Sequence, residues 1–239
     1  MADFEAQVKA LTSLTISSSG TIPTQAQLTQ FLHDGVLDVT AKWLSVRPED
    51  SSLFMNVTGA QVAQGADINA AKVISVLRAD GVVATNLKDC RRIPVDQQYT
   101  VTDPISLNYS SKLNPAFMIN ADGTVHVFPA PSDNSGLDSY KVFYVNNTPV
   151  DGSATSLTFE DSTIGYFPSD KVYLVVLYAA IKSIEAKLSD SAVNEEDTEL
   201  VQSLVPTLQA LQNDYGLGFI PDRNMEAMRG RTQQRASQR

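Results

Sequence analysis

The hydrophobic period of this chain changes twice, and that double change constrains the fold more than any single motif. Leu28, Leu32, Val36, Val39 and Trp43 recur at spacings of four, four, three and four, the stripe of one helix face. From Ser52 to about Gly165 the stripe is gone, and short β-branched or aromatic runs alternate with turn residues. After Phe167-Pro168 the helical texture returns. Val172, Val176 and Ala179 form one face, and Leu177, Ile181, Ile184 and Leu188 form another beside it. A helix apolar on two faces sits at the centre of its bundle.

Local signals set the element ends. Thr24 and Gln27 have the spacing of a capping box, in which the hydroxyl and the amide each satisfy a free backbone N–H at a helix start. Gly35 weakens the helix that follows by about 1 kcal/mol relative to Ala, and Arg47-Pro48 ends it near Leu44. A shorter helix over Phe4 to Leu14 precedes it, with a joint at Ser17–Gly20. Ser169 can cap the third helix. Asn194, followed by Glu195, Glu196 and Asp197, starts the fourth, with carboxylates beside the positive end of the dipole. Leu200, Leu204, Leu208 and Leu211 stripe that helix, and Pro206 lies inside it. A short link at Ser189–Val193 makes the last two helices antiparallel neighbours.

The middle of the chain reads as strands at Phe54–Thr58, Lys72–Arg78, Val82–Ala84, Arg92–Val95, Ile105–Asn108, Ala116–Asn120, Thr124–Phe128, Lys141–Val145 and Ser156–Phe159. Asp122-Gly123 is a strong hairpin signal, Asp80-Gly81 a second and Asp151-Gly152 a weaker third. Prolines at 94, 104, 115, 129, 131 and 149 stand at run ends, where a missing N–H harms a sheet least. Short strands at this spacing suggest a sandwich or small barrel.

A helix as short as 28–44 is not stable alone in water. Its expected partner is the helical pair at the other end of the chain. The fold class is therefore α+β: a discontinuous helical bundle of 1–50 and 166–219 carrying an inserted β-rich, sandwich- or barrel-like region over 51–165. Residues 220–239 form an extended basic arm.

Composition mainly removes chemistry. At 239 residues and 43% hydrophobic content the chain can bury a sizeable core. A net charge of −9 argues against coating nucleic acid non-specifically. One cysteine permits no internal disulfide, and two histidines make a zinc or haem centre unusual. The N-terminus lacks the pattern of a secretory signal. The apolar stretch Val172 to Ile184, 13 residues, is shorter than the roughly 20 that span a bilayer. The expectation is no membrane, and the sequons at Asn56, Asn108 and Asn146 are read as chance.

No catalytic constellation emerges. His126 sits in a strand and His33 in a helix, each read as structural. Cys90 has cationic neighbours, which can lower a thiol pKa, but no placed histidine. No glycine-rich phosphate loop is present. Asp133 to Asp138 resembles a calcium loop without its twelfth-position glutamate, and is read as a polar turn. The remaining carboxylates scatter. No cofactor, metal or catalytic residue is expected, and an enzyme would rest on carboxylate pairs that sequence does not reveal.

The C-terminal segment reverses the charge. From Asp222 onward, Arg223, Arg229, Arg231, Arg235 and Arg239 stand against Asp222 and Glu226, a net +3 that leaves −12 on the other 221 residues. Its end, Gln233 to Arg239, has almost nothing apolar to bury, so it orders only when a partner supplies the surface. It is either a solubilising terminus or an arm that docks on an acidic neighbour or on nucleic acid.

The order of parts carries a resemblance. The striped helix after Thr24–Gln27 comes first, and the strand-rich middle holds Ser106-Leu107-Asn108-Tyr109 and Val125-His126-Val127-Phe128-Pro129-Ala130-Pro131. Tyr166-Phe167-Pro168, the run Tyr173 to Ala180 and a second long helix follow. In this architecture the chain resembles the head-to-tail connection (neck) proteins of tailed bacteriophages, in particular the adaptor class beneath the portal. The resemblance covers most of the chain and rests on texture. It implies a virion protein at the neck, assembled in the host cytoplasm as a homo-oligomeric ring of twelve copies. DNA would pass along the axis without sequence-specific binding, with a portal protein above and a tail or stopper (nozzle) protein below. The five arginines would reach the portal or a neighbouring subunit. The long β-region departs from the smaller adaptors. Two other classes stay open: a tail-tube, decoration or baseplate-associated protein, and an enzyme built on the β-region.

Overall fold

The computed structural model describes residues 2–69, 71–132, 137–194 and 198–220. Among these the α-helices are α1 (Phe4–Thr12), α2 (Gln25–Val46), α3 (Gln98–Thr102), α4 (Val172–Asn194) and α5 (Thr198–Leu217). The strands are β1 (Met55–Val57), β2 (Ala66–Asp67), β3 (Val73–Ala79), β4 (Leu87–Asp89), β5 (Arg91–Arg92), β6 (Ala116–Ile119), β7 (Thr124–Phe128) and β8 (Tyr140–Val145). The architecture is mixed α+β, with helical portions at both chain ends and two four-stranded sheets between them. The chain divides into a helical unit, drawn from Met1–Pro48 and from Pro149 onward, and a β unit, Glu49–Thr148.

In the helical unit, Asp3 accepts from the N–H of Ala6 to open α1. The Thr24 hydroxyl accepts from Gln27 N–H while the Gln27 side chain accepts from Thr24 N–H, so the capping box starts α2 as its spacing predicts. Leu28, Leu32, Val36 and Val39 of α2 share one apolar cluster with Leu174, Val175, Ala179 and Ile184 of α4 and Leu204 and Leu211 of α5. Two distant pieces of chain thus have a common interior. Gly35 shows how closely the helices approach: a Cβ there would lie 3.1 Å from a Tyr178 ring carbon and 3.2 Å from a Val175 methyl. The propensity lost at this glycine is set against a closer approach of α2 to α4.

Three local expectations in this unit change. Ser169 does not cap a helix. It begins a 3-10 turn, Ser169–Lys171, whose own bond from Lys171 N–H to the Pro168 carbonyl occupies a donor a cap would serve. Ser189–Val193 is not a link, because α4 continues to Asn194, with Ser191 still buried. Glu195, Glu196 and Asp197 lie outside the described residues. Ser156–Phe159 is not a strand. Leu157 and Ile164 are buried in the helical cluster, the carbonyls of Phe159 and Asp161 accept from the first N–H groups of α1, and only a single bridge joins Val150 and Ser156. The division between units therefore falls at 148/149, ahead of the expected 165.

In the β unit the first sheet has the order β1-β8-β3-β4, antiparallel throughout. The second has the order β2-β7-β6-β5, with β5 and β6 parallel. Val76, Tyr140 and Val142 from the first sheet and Phe117, Val125 and Val127 from the second form one core. The Tyr140 hydroxyl crosses that core, accepting from Ala66 N–H and donating to the Ala63 carbonyl at 3.0 Å. The opposite face of β6, Ala116 and Met118, packs with Phe128, Ile93 and Val101, so the second sheet is covered on both faces near α3. Asn120 to Gly123 makes the expected hairpin, with Gly123 at φ 82°. The Asp80-Gly81 hairpin is wider than expected. Asp80 accepts from Val82 and Val83 N–H, an Asx turn that leaves Val82–Ala84 out of the sheet, and the return strand is β4.

Candidate functional site

His33 and Cys90 have structural surroundings, and His126 stands half-buried on β7. A His33 ring nitrogen lies 2.7 Å from the Leu157 carbonyl, which pins the 149–165 segment to α2. Cys90 is buried between β4 and β5, and its thiol is pushed up to about 12, first by burial and then by Asp89, with Arg78 opposing. A thiol in that state is not a nucleophile at neutral pH. Among the described residues, no cluster of three His, Cys, Asp or Glu side chains is arranged to hold a metal, and no helix is long and apolar enough to cross a membrane.

The faint calcium-loop pattern ends in a different role. Asp138 is 1% exposed and faces cations of the protein itself. The ammonium of Lys112 donates to Oδ2 at 3.1 Å and lies 2.8 Å from Oδ1, Ser132 donates to Oδ2, and the guanidinium of fully buried Arg78 stands 3.6 Å away. Hydrogen bonds from Lys112 and then Ser132 hold the carboxyl below the usual Asp range, with Arg78 contributing through its charge. Arg78 also donates to the carbonyls of Ala79 and Pro129, tying β3 to the chain beyond β7. Gly81, at φ 84°, passes so close that a Cβ would lie 2.6 Å from the Lys112 ammonium. The cluster is a fastening. Asp133 to Gly136 lie outside the described residues.

Arg223, Arg229, Arg231, Arg235 and Arg239 also lie outside the described residues, but the root of their arm is described. Just past the end of α5 a Cβ on Gly218 would lie 2.3 Å from a Leu174 methyl, so a larger residue there would displace the Leu174 side chain. Phe219 packs edge-on against Tyr215, with centroids 5.1 Å apart, and lies 6.4 Å from Trp43. Lys171 and Arg47 sit over the Trp43 ring at 4.4 and 4.8 Å. The Tyr215 hydroxyl donates to Asp38, itself paired with Lys42 at 2.8 Å; burial, and then Asp38, raise the phenol pKa. The arm thus leaves from a fixed aromatic anchor.

A second surface went unseen in the sequence. Between β5 and β6 the chain makes an excursion in which Val101 of α3 is buried on the sheet while Tyr99, Ile105, Leu107 and Leu113 face solvent. Ile105 is 93% exposed and Leu107 fully so. The expected strand Ile105–Asn108 is instead a set of turns. Asp103 Oδ1 accepts from Ile105 N–H, the Asp103 carbonyl from Ser106 N–H, and Ser106 Oγ from Asn108 N–H. These local side-chain bonds replace a ladder. Arg91 holds the far side by donating to the Asn108 carbonyl. The alternation Ile105, Leu107, Tyr109 reads as a strand with one buried face; only the absence of a pairing partner distinguishes it from a displayed loop.

No protein-family model matches the chain, and comparison with curated protein sequences gives no match.

Proposed function

We propose that this chain is a structural virion protein of a tailed bacteriophage, a head-to-tail adaptor subunit of a ring beneath the portal through which DNA passes. The observation that carries the reading is the discontinuous helical unit: α1 and α2 share an interior with α4 and α5, and a whole β unit is inserted between them. This is the order of parts expected of the adaptor class. The basic arm beginning after the Trp43–Phe219 anchor supports it, as a segment that would order on a portal or a neighbouring subunit.

Charge supports the channel. Of the −12 outside the arm, −9 falls in the helical unit and −3 in the β unit. In a ring whose acidic faces line the channel, phosphates are repelled and DNA slides without sticking. The reading places the protein in the virion neck, as a dodecamer with a portal protein and a tail or stopper protein as partners, and assigns it no catalytic step. The exposed loop after β5 favours a second reading, another virion component such as a tail-tube, decoration or baseplate-associated protein, with the β unit as its main contact.

The test is capture by the portal protein of the same phage. Full-length chain is expected to bind and to form rings visible by negative-stain microscopy. A chain ending at Ile220 should keep its Trp43 fluorescence and lose capture. Equal capture of both forms removes the role of the arm, and tight, salt-sensitive DNA retention by the shortened chain counts against the channel.

A further inference from the structure

We propose that the apolar loop of one copy docks into the open cleft beside β5 of a second copy of this chain. The loop presents Ile105 and Leu107 at 93% and 106% exposure, with Tyr99 at 83% and Leu113 at 73%. Soluble chains rarely display large apolar side chains so densely without a partner for them. The loop is also shaped in advance. The Asp103 and Ser106 turns and the Arg91 contact already hold its backbone, so little ordering entropy opposes docking.

The same unit carries the complement. A cleft of about 520 Å³ is lined by Ile93, Pro94, Val95 and Ile119, with Arg92 among its lining residues. Apart from the Arg92 guanidinium the side chains that line it are aliphatic, and Arg92 has no ionic or hydrogen-bonded side-chain partner among the described residues. The loop is apolar with a carboxylate at its turn, Asp103, and the sequence from Asp96 to Ser111 contains no lysine or arginine. Loop and cleft therefore match in polarity and in sign of charge. None of Tyr99, Ile105, Leu107 and Leu113 lines the cleft, so the two surfaces are separate. A contact between two different surfaces of identical chains is heterologous. Each copy gives a loop on one side and receives one on the other, and the contact repeats into a closed ring or an open filament. It supplies the ring of the proposed function with its subunit contact, and rests on that reading for closure alone.

The experiment uses full-length chain throughout. Self-association is followed by sedimentation velocity over about a hundredfold range of concentration. The double variant Ile105→Ser/Leu107→Ser is expected to weaken association by about a hundredfold, the effect of withdrawing two fully buried aliphatic side chains. Arg92→Asp weakens it too. Because native Cys90 is buried, added surface cysteines are addressed alone. Chains carrying Leu107→Cys, mixed with chains carrying Val95→Cys, should form the mixed disulfide under mild oxidation. Monomers at every concentration, unchanged association of the serine variant, or Leu107→Cys chains pairing only with themselves would each overturn the proposal. So would binding of wild-type chain, but not the serine variant, to phosphatidylglycerol vesicles, which would make lipid the occupant. Rings without the mixed disulfide remove this contact and leave the ring reading standing. Open filaments with it keep the contact and remove the ring.

Discussion

The two units of this protein dispose of apolar and charged groups in opposite ways. In the helical unit no large apolar side chain is more than 51% exposed, at Val46, and no charged side chain is buried among the described residues. In the β unit Val82, Tyr99, Ile105, Leu107 and Leu113 all exceed 70% exposure, while Arg78 and Asp138 are sealed inside. The helical unit follows the usual solution, an apolar interior and an acidic surface. The β unit has short strands, two of them only two residues long, and a fully desolvated ion pair fastens what so little ladder cannot. Its surplus apolar surface is left outside on a loop held by its own turns. One unit is organised for holding together and the other for being held by something else.

Each unit contains a natural reporter, Trp43 in the helical unit and Cys90 in the β unit, so the contrast can be broken experimentally. The largest effect is expected from Asp138→Ala. It leaves the Arg78 guanidinium buried without its counter-charge, and breaking a buried pair from one side costs about 3–5 kcal/mol. Thiol labelling of Cys90 under native conditions should accelerate accordingly while the Trp43 unfolding transition stays in place. A matched shift of both would show that the units unfold as one.

Acid is a graded form of the same change. The Asp138 pKa is depressed in the folded chain, so its contribution to stability is present above the ordinary value of 3.8 and is lost as the pH falls below that value through the folded one. Cys90 labelling after brief acid exposure should rise in this window for wild type and show no such dependence in Asp138→Asn.

The helical unit is sensitive elsewhere. A Cβ on Gly165 would lie 2.4 Å from the Asp151 carbonyl, and Gly35→Val would force α2 away from Tyr178 and Val175. Each should lower the Trp43 transition by about 1–3 kcal/mol, Gly165→Ala toward the upper end because backbone cannot give way as a side chain can. Cys90 labelling should not change. The smallest stability effect belongs to Ile105→Ser and Leu107→Ser, within about 0.5 kcal/mol by denaturant melts. A larger loss would mean that the loop is part of the β-unit core, erasing the distinction drawn between the units.

Thr24 and Gln27, the stripe from Leu28 to Trp43 and the Asp122-Gly123 turn could be read directly, because capping, helical period and a positive φ are settled within a few residues. Gly35 was legible as a weak point and not as the site where α4 approaches, since its neighbours lie about 140 positions away in the chain. Asp138 looked like part of a solvated turn, because its partners Arg78 and Lys112 come from other parts of the sheet region. Leu157 had the texture of a strand and became a wedge in the helical core. Of the candidate site, the arginines of the arm are evident from charge alone, the aromatic anchor at Phe219 is not, and the loop around Leu107 has the texture of a strand.

From sequence alone came the α+β class, the insertion of strands between helices, the starts of α1 and α2 and the absence of familiar catalytic motifs. Tertiary structure alone decided which apolar runs were covered and which charges were enclosed. Hydrogen bonds across three or four residues form wherever the local chain permits them, whereas burial depends on what the rest of the chain brings to the same place. Ile105 and Leu107 are as hydrophobic as Leu28 and Leu32, and only the folded chain left them without a cover.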